Sequence, residues 1–389
     1  MSTSFWLDRS PMFSSQEFDV IIVGAGITGL STAFWLEKEN PSLRIAIVEK
    51  SRMGFGASGR NAGFVTCGSV EHFNRMISKH GLDQASEIWK FSETNRLLLQ
   101  QEIVQEKAEQ IQFEQKGAFS LAAQEHEFAE LKKCAEIMAT LKIPTEIIEG
   151  YDIEKRLGAV NFVGGIKYLD DASTDPMALL MLMRSKIKTP IFEDVEVGRI
   201  ETAENGSKLL KTDKGDFHAS LVVLALNGYS AHLHPYFADK IYPTRAQCLM
   251  TEAVPRFMEG PCYANFYLDY FRQLPTGELL IGGFRQLEKA TEVGISDHIT
   301  EVIQNSLHQF VMNYLPQFNK ASITHRWAGV MGFSKDGEPM VGSIPDDPAI
   351  FFAGGYTGHG LGLAFNTAKT LVDLIFDRKI PNWISARRF

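Results

Sequence analysis

A chain of 389 residues is longer than one ordinary core requires and suits two domains or one large interleaved one. Its composition, 44% hydrophobic and 22% charged, is globular, and a net charge of −8 argues against a nucleic-acid-binding surface while leaving a cationic small molecule unrepelled. The four cysteines, Cys67, Cys134, Cys248 and Cys262, are widely spaced without a CxxC, so reduced thiols of a cytoplasmic protein are expected rather than disulfides or zinc. The first residues lack the basic-then-apolar pattern of a signal peptide. The longest apolar candidate, Leu361 to Phe376, is broken by Asn366, Lys369 and Asp373, which predicts no membrane span.

In chain order, residues 1–17 are expected as an arm packed by Phe5 and Trp6. The apolar run Asp19 to Val23 then enters Gly24-Ala25-Gly26-Ile27-Thr28-Gly29 and a helix-like pattern. A second apolar run, Ile45 to Val48, ends at Glu49 and Lys50. Strand, tight turn, helix, strand and acid in this order form a dinucleotide-binding βαβ unit. Gly24 permits the turn, Gly26 admits the pyrophosphate and Gly29 lets helix and strand pack closely, while the helix N-terminus offers N–H groups to phosphate. Glu49 accepts from ribose hydroxyls and disfavours a 2′-phosphate, pointing to FAD or NAD over NADP.

Gly54 to Gly63 is too rich in small and polar residues to build a core, yet suits laying backbone along a flat ligand. Helices are expected over 85–104 and 124–141, with a strand over Gly117 to Ala123 between them. Asp170, Asp171 and Asp175 lack a histidine or further acid at ligand spacing, so solvated loop residues and no metal are expected. Strands are expected at Val195 to Val197 and Phe217 to Leu226, the latter ending at the polar tip Asn227-Gly228. Tyr263 to Gln273 and Glu278 to Phe284 read as a hairpin around Pro275-Thr276-Gly277. On one continuous strand, Tyr263, Tyr267 and Phe271 share a face and Phe266 and Tyr270 the other, with core packing favoured over lining a pocket. A helix over 299–315 stops at Pro316, and the chain closes with strand Ile350 to Ala353, the run Gly354 to Gly360 and a helix to about Phe376.

Three Gly-rich loops, at 24–29, 54–63 and 354–362, exceed what a plain NAD enzyme needs and suit FAD, whose reactive ring lies far from its adenine. Together with Phe5-Trp6-Leu7-Asp8, Tyr270 to Gly283 and Trp327 to Gly342, they resemble the D-amino-acid oxidase-like superfamily of FAD-dependent amine oxidoreductases, which includes glycine oxidase and sarcosine oxidase. Gly54-Phe-Gly56-Ala57-Ser58-Gly59-Arg60-Asn61 looks closest to its gamma-glutamylputrescine oxidase branch. The resemblance implies an α/β fold: a Rossmann-like FAD domain of the glutathione-reductase type interleaved with an antiparallel-sheet substrate domain. The expected bounds are 1–80, 145–228 and 321–389 for the former, and 81–144 and 229–320 for the latter.

By the same resemblance, Gly24, Gly26, Ile27, Thr28 and Gly29 cradle the pyrophosphate, and Glu49 and Lys50 lie at the ribose. Gly56, Ala57, Ser58, Arg60, Asn61 and Ala62 match the loop against the flavin, and Val195 the backbone at the adenine. Asn227, Gly355, Gly358, His359, Gly360 and Leu361 complete the cofactor site, with a helix starting near Gly360 aimed at the flavin edge that turns anionic on reduction. Arg60 and His359 are the candidate catalytic residues; a surface salt bridge and a backbone-held loop histidine are the respective plain alternatives.

Departures from the family pattern narrow the chemistry. The arginines that anchor an α-carboxylate in glycine oxidase-like chains fall at Met331 and at Gly360-Leu361, which disfavours a small α-amino acid unless Arg245, Arg272, Arg285 or Arg326 substitutes. Positions of covalent flavin attachment fall at about Gly329 and Arg60, implying noncovalent FAD, and the oxygen-assisting lysine falls near Leu280-Ile281. The expected reaction is oxidation of a primary or secondary amine, gamma-glutamylputrescine-like, with hydride transfer to flavin N5 and oxygen as acceptor. A glycine or D-amino-acid oxidase and an amine dehydrogenase with another acceptor stay open as alternatives.

Overall fold

The computed structural model describes residues 16–265 and 269–389, so most of the expected arm, with Phe5-Trp6-Leu7-Asp8, and Phe266 and Tyr267 lie outside the described residues. The described residues form two compact units, one falling within 1–59, 180–243 and 331–389, the other within 60–179 and 244–330.

The first unit is built on Gln16–Val23, an apolar strand paired in parallel with Ile45–Val48 on one side and Gly215–Leu224 on the other. The sheet extends to Ile191–Phe192 beyond Ile45–Val48, and to Asp347–Gly354 and then Met340–Ile344 beyond Gly215–Leu224. Ile21, Ala46, Val222 and Phe352 are buried, as strands with both faces covered require. The helices Ile27–Glu39 and Gly360–Ile375 pack together, with Trp35 against Phe365 (centroids 5.0 Å apart) and the indole N–H donating to the Phe365 carbonyl at 3.0 Å. The strand expected at Val195 begins instead at Val197. The Val195 N–H donates to the Glu49 carbonyl, so this residue closes the edge of the parallel sheet.

The second unit holds an eight-stranded sheet in the order Ile323–Ser334, Ile241–Ala253, Glu278–Gly282, Asp269–Gln273, Cys262–Ala264, Ala118–Ala122, Gly164–Tyr168, Thr145–Glu149. Its registered pairings are antiparallel except that of Cys262–Ala264 with Ala118–Ala122. One face packs Phe119, Leu249, Phe271 and Ile281 against Phe310 of the helix Glu301–Tyr314. The unit bounds differ from the expected domain bounds. Residues 60–80 and 145–179 fall in the second unit, because Thr145–Glu149 and Gly164–Tyr168 continue its sheet and Phe64–Val65 pairs with Ala172–Ser173. The helix expected over 85–104 is Val70–Leu98, non-helical at Gly81 (φ 79°), followed by a π-helical turn at Leu99–Val104.

The aromatic strand is also two strands. Cys262–Ala264 turns back, with Asn265 at φ 60°, into Asp269–Gln273, so Tyr263 stands directly opposite Tyr270 instead of on the other face. Phe64 meets both rings edge-on, at centroid distances of 5.3 Å and 5.7 Å. Period-two counting fails across a turn, which is why the sequence misassigned Tyr270.

Candidate active site

The fingerprint turn is assembled by backbone packing. Gly24 sits at φ +107°, its N–H donates to the Val48 carbonyl at 2.9 Å, and a Cβ on Gly29 would lie 1.9 Å from the Gly24 oxygen. Helix Ile27–Glu39 therefore rests directly on the end of the first strand. A Cβ on Gly26 would stand 2.9 Å from the Ser58 hydroxyl oxygen, which accepts from the Ile27 N–H at 2.9 Å. Ser58, expected against the flavin, thus joins the second Gly-rich loop to the first. The rest of the helix start carries no side-chain cap and no acid in its first turn, an arrangement open to an anion.

Glu49 is half-buried at the end of Ile45–Val48, and its two carboxylate oxygens accept from the Ala25 N–H at 2.8 Å and the Ser51 N–H at 2.9 Å. Each oxygen keeps a further lone pair, so the acid locks the turn and still offers acceptors to a ribose. The Lys50 side chain instead reaches Glu196 at the surface, 2.7 Å away, because its position in the strand's continuation turns it outward.

The third Gly-rich loop is tied to the same turn. The Tyr356 hydroxyl lies 2.8 Å from the Thr28 hydroxyl in a buried contact that the sequence did not reveal. Asn227, held at φ 46°, accepts from the Gly355 N–H at 2.9 Å through its side-chain oxygen, and Gly332 is where a Cβ would come within 2.4 Å of that oxygen. Asn227 therefore fastens the loop. His359 caps Gly360–Ile375, its N–H donating to the Tyr356 carbonyl at 2.9 Å and its Nδ1 standing 3.1 Å from the Thr357 carbonyl. A carbonyl only accepts, so Nδ1 carries the proton in this contact and Nε2 is the ring's other polar atom. This second helix start also has no side-chain cap and no acid in its first turn. Met331 lies beside it, its sulfur 3.8 Å from where a Gly358 Cβ would be.

In the second unit, Arg60 Nη1 donates to Asp297 at 2.7 Å and to the Ala328 carbonyl at 2.8 Å, while the Trp327 indole donates to the Arg60 carbonyl at 2.9 Å. The salt bridge is thus real, and sequence distance hid its partner. Asn61 accepts from the Gly63 N–H at 2.8 Å, shaping the loop, and Ala62 is buried. Gly56 and Ala57, in the first unit, are half-buried, and a Cβ on Gly56 would meet nothing within 4 Å. Leu280 and Ile281 are buried in the sheet.

The substitute arginines are differently placed. Arg245 is buried and committed to Glu292 through bonds of 2.9 Å and 3.0 Å and to the Thr291 carbonyl at 3.1 Å, and exposed Arg326 donates to Gln304. Burial holds the Arg285 guanidinium below its ordinary pKa range. Arg272, 4% exposed, donates to the Thr174 carbonyl at 2.8 Å and leaves Nε unpartnered; burial pulls its pKa to about 10. Asp171 is no solvated loop acid. It is 4% exposed with one oxygen unpartnered, directly before the strand Ala172–Ser173, and burial pushes its pKa to about 8. Asp175 caps a helix by accepting from the Ala178 N–H. Among the described residues no acid, histidine and cysteine group could hold a metal ion, and no helix is long and apolar enough to cross a membrane.

A glycine-built dinucleotide turn, an acid closing it and two helix starts with no acid in their first turns suit a dinucleotide such as FAD. The chain belongs to the family described as FAD dependent oxidoreductase (DAO), which matches residues 19–374, and FAD is its cofactor. Among known proteins it is 27% identical to the probable oxidoreductase OrdL of Haemophilus influenzae, over 94% of this chain and 84% of that one. It is 23% identical to the gamma-glutamylputrescine oxidoreductase of Escherichia coli, over 92% and 83%. Glycine oxidase of Geobacillus kaustophilus is 26% identical over 93% of each chain, and its crystal structure superposes with a TM-score of 0.80 at 22% identity, covering 94% of this chain and 96% of that one.

Proposed function

We propose that the protein oxidises a primary or secondary amine lacking an adjacent carboxylate, with a gamma-glutamylputrescine-like polyamine derivative as its substrate and FAD held noncovalently. The observation that carries this reading is the thioether of Met331 beside Gly358, the position at which the resemblance to glycine oxidase-like chains implies a carboxylate-binding arginine. A carboxylate buried there without a cation would cost several kcal/mol, on the order of the penalty for an unpaired buried charge.

When bound, FAD would supply a hydride acceptor, flavin N5, for the carbon bearing the amine, with oxygen the proposed acceptor of the electron pair and hydrogen peroxide the product. Gly24, Gly26, Gly29 and the start of helix Ile27–Glu39 would bind its pyrophosphate, Glu49 its ribose and the Val195 backbone its adenine. The start of Gly360–Ile375, with His359, would favour negative charge on the reduced ring. The neutral form of the amine is the one that can lose hydride from its α-carbon. The product imine hydrolyses in water to aldehyde and amine or ammonia.

Anaerobic mixing with gamma-glutamylputrescine, glycine and D-alanine, followed by visible absorbance, tests this. Bleaching by the polyamine derivative alone supports the reading. Bleaching only by the amino acids replaces it with an amino-acid oxidase, and dye-coupled turnover without oxygen turnover replaces the oxidase with a dehydrogenase.

A further inference from the structure

We propose that Asp297 is a positioning residue for Arg60: its carboxylate fixes and partly neutralises the guanidinium, and so sets how strongly that cation favours reduced flavin. The inference rests on the reading that places Arg60 at the flavin. Its observations lie within the second unit.

Asp297 is carried by the segment 285–299, between strand Glu278–Gly282 and helix Glu301–Tyr314, which has no strand and only a short 3-10 turn at Arg285–Glu288. Apolar burial does not hold this segment down. Val293 and Ile295 are 52% and 43% exposed, whereas Glu292 is completely buried. This inside-out pattern has a polar anchor at its base. The buried Arg245 guanidinium grips Glu292 with two bonds and also donates to the Thr291 carbonyl at 3.1 Å. Gln247 bonds both Glu292 and Thr300. Such a fully paired network is rigid, because releasing any member would strand a buried charge.

Asp297 therefore meets Arg60 from a fixed base, 2.7 Å from Nη1, while Arg60 is held from behind by the Trp327 indole, the Ala328 carbonyl and close approach to Gly329. A cation with a carboxylate at this distance acts on a third group as a dipole, whose field falls off faster than that of a single charge. Removing the negative charge unmasks the cation. Because Asp297 is half-exposed, solvent screens the pair and the effect is modest.

The test is the reduction potential of the holoenzyme, measured by dye equilibration for wild type, Asp297→Asn, Arg60→Gln and the double variant, with thermal melts alongside. Asp297→Asn is expected to favour reduced flavin about tenfold, an upward shift of about 30 mV for a two-electron couple. Arg60→Gln should move the potential downward, the double variant should match Arg60→Gln, and Asp297→Glu should restore the wild-type value. An Asp297→Asn shift that persists in the Arg60→Gln background, or no shift where Arg60→Gln gives one, overturns the proposal. Silence from Arg60→Gln removes Arg60 from the flavin and the proposal with it, while bleaching by the amine separately decides the substrate reading.

Discussion

Replacing Gly29 by alanine puts a methyl group 1.9 Å from the Gly24 carbonyl oxygen and 3.1 Å from its carbon, where ordinary contact begins at 3.4 Å. Helix and strand must separate by about 1.5 Å. Both colliding groups are backbone. The strand is bonded on both sides and the helix is pinned by the Trp35–Phe365 contact, so no side chain can swing aside. Overpacking costs about 1–3 kcal/mol where neighbours adjust, so the upper end, about 3 kcal/mol, is expected here. For a unit of this size that lowers the melting temperature by about 6–12 °C. The same displacement pulls the helix start away from the phosphate position, so FAD should be lost as well. The assay is the ratio of visible to ultraviolet absorbance after purification, with a melt followed by flavin fluorescence. Gly198→Ala is the control, because its added Cβ would meet only the Lys211 carbonyl oxygen at 3.8 Å. A Gly29→Ala protein that stays fully yellow and melts within about 2 °C of wild type would refute the close-packing argument.

Met331→Arg should install the missing carboxylate anchor beside Gly358; glycine should then bleach the flavin with a KM at least about tenfold lower, as a charge-assisted pair of about 1.5 kcal/mol implies. An unchanged KM for glycine places the substrate elsewhere. Asp171 has a folded-state pKa of about 8, above its unfolded value, so its contribution to stability is full in acid and lost as pH rises from about 4 through 8. Asp171→Asn should therefore shrink the fall in denaturation midpoint between pH 5 and pH 8, a window in which Glu259, held at about 2 by Arg156, stays ionised; an undiminished fall assigns the pH dependence to another group. Arg272→Met exchanges a buried, under-paired cation for an apolar chain of similar length and should leave the melting temperature unchanged or raised. A large drop would mean that the Thr174 contact outweighs desolvation.

Much of the first unit was legible because its signals are local. Gly24, Gly26, Gly29 and Glu49 fall at spacings that suit a strand–turn–helix–strand path, and the helix Gly360–Ile375 follows from its own apolar pattern. Shorter pieces were not legible: Ile191–Phe192 has two residues, too few for any period, and its place at the sheet edge comes from pairing with Ile47 and Val48. The second unit was harder still. Cys262–Ala264 and Asp269–Gln273 read as one strand because the aromatic composition continues across their turn, and the correct register of Tyr263 with Tyr270 exists only in the folded sheet.

The amino-acid sequence by itself determined the dinucleotide turn, the FAD family and the absence of arginine at 331 and 361, since each depends on residue type at fixed short spacing. Tertiary structure alone decided which side chains are already committed. It paired Arg60 with Asp297 across 237 residues, engaged Arg245 with Glu292 and the Thr291 carbonyl, joined Thr28 to Tyr356 and buried Asp171. Those outcomes turn on long-range contact and desolvation, which are properties of the packed chain and have no signature in local sequence.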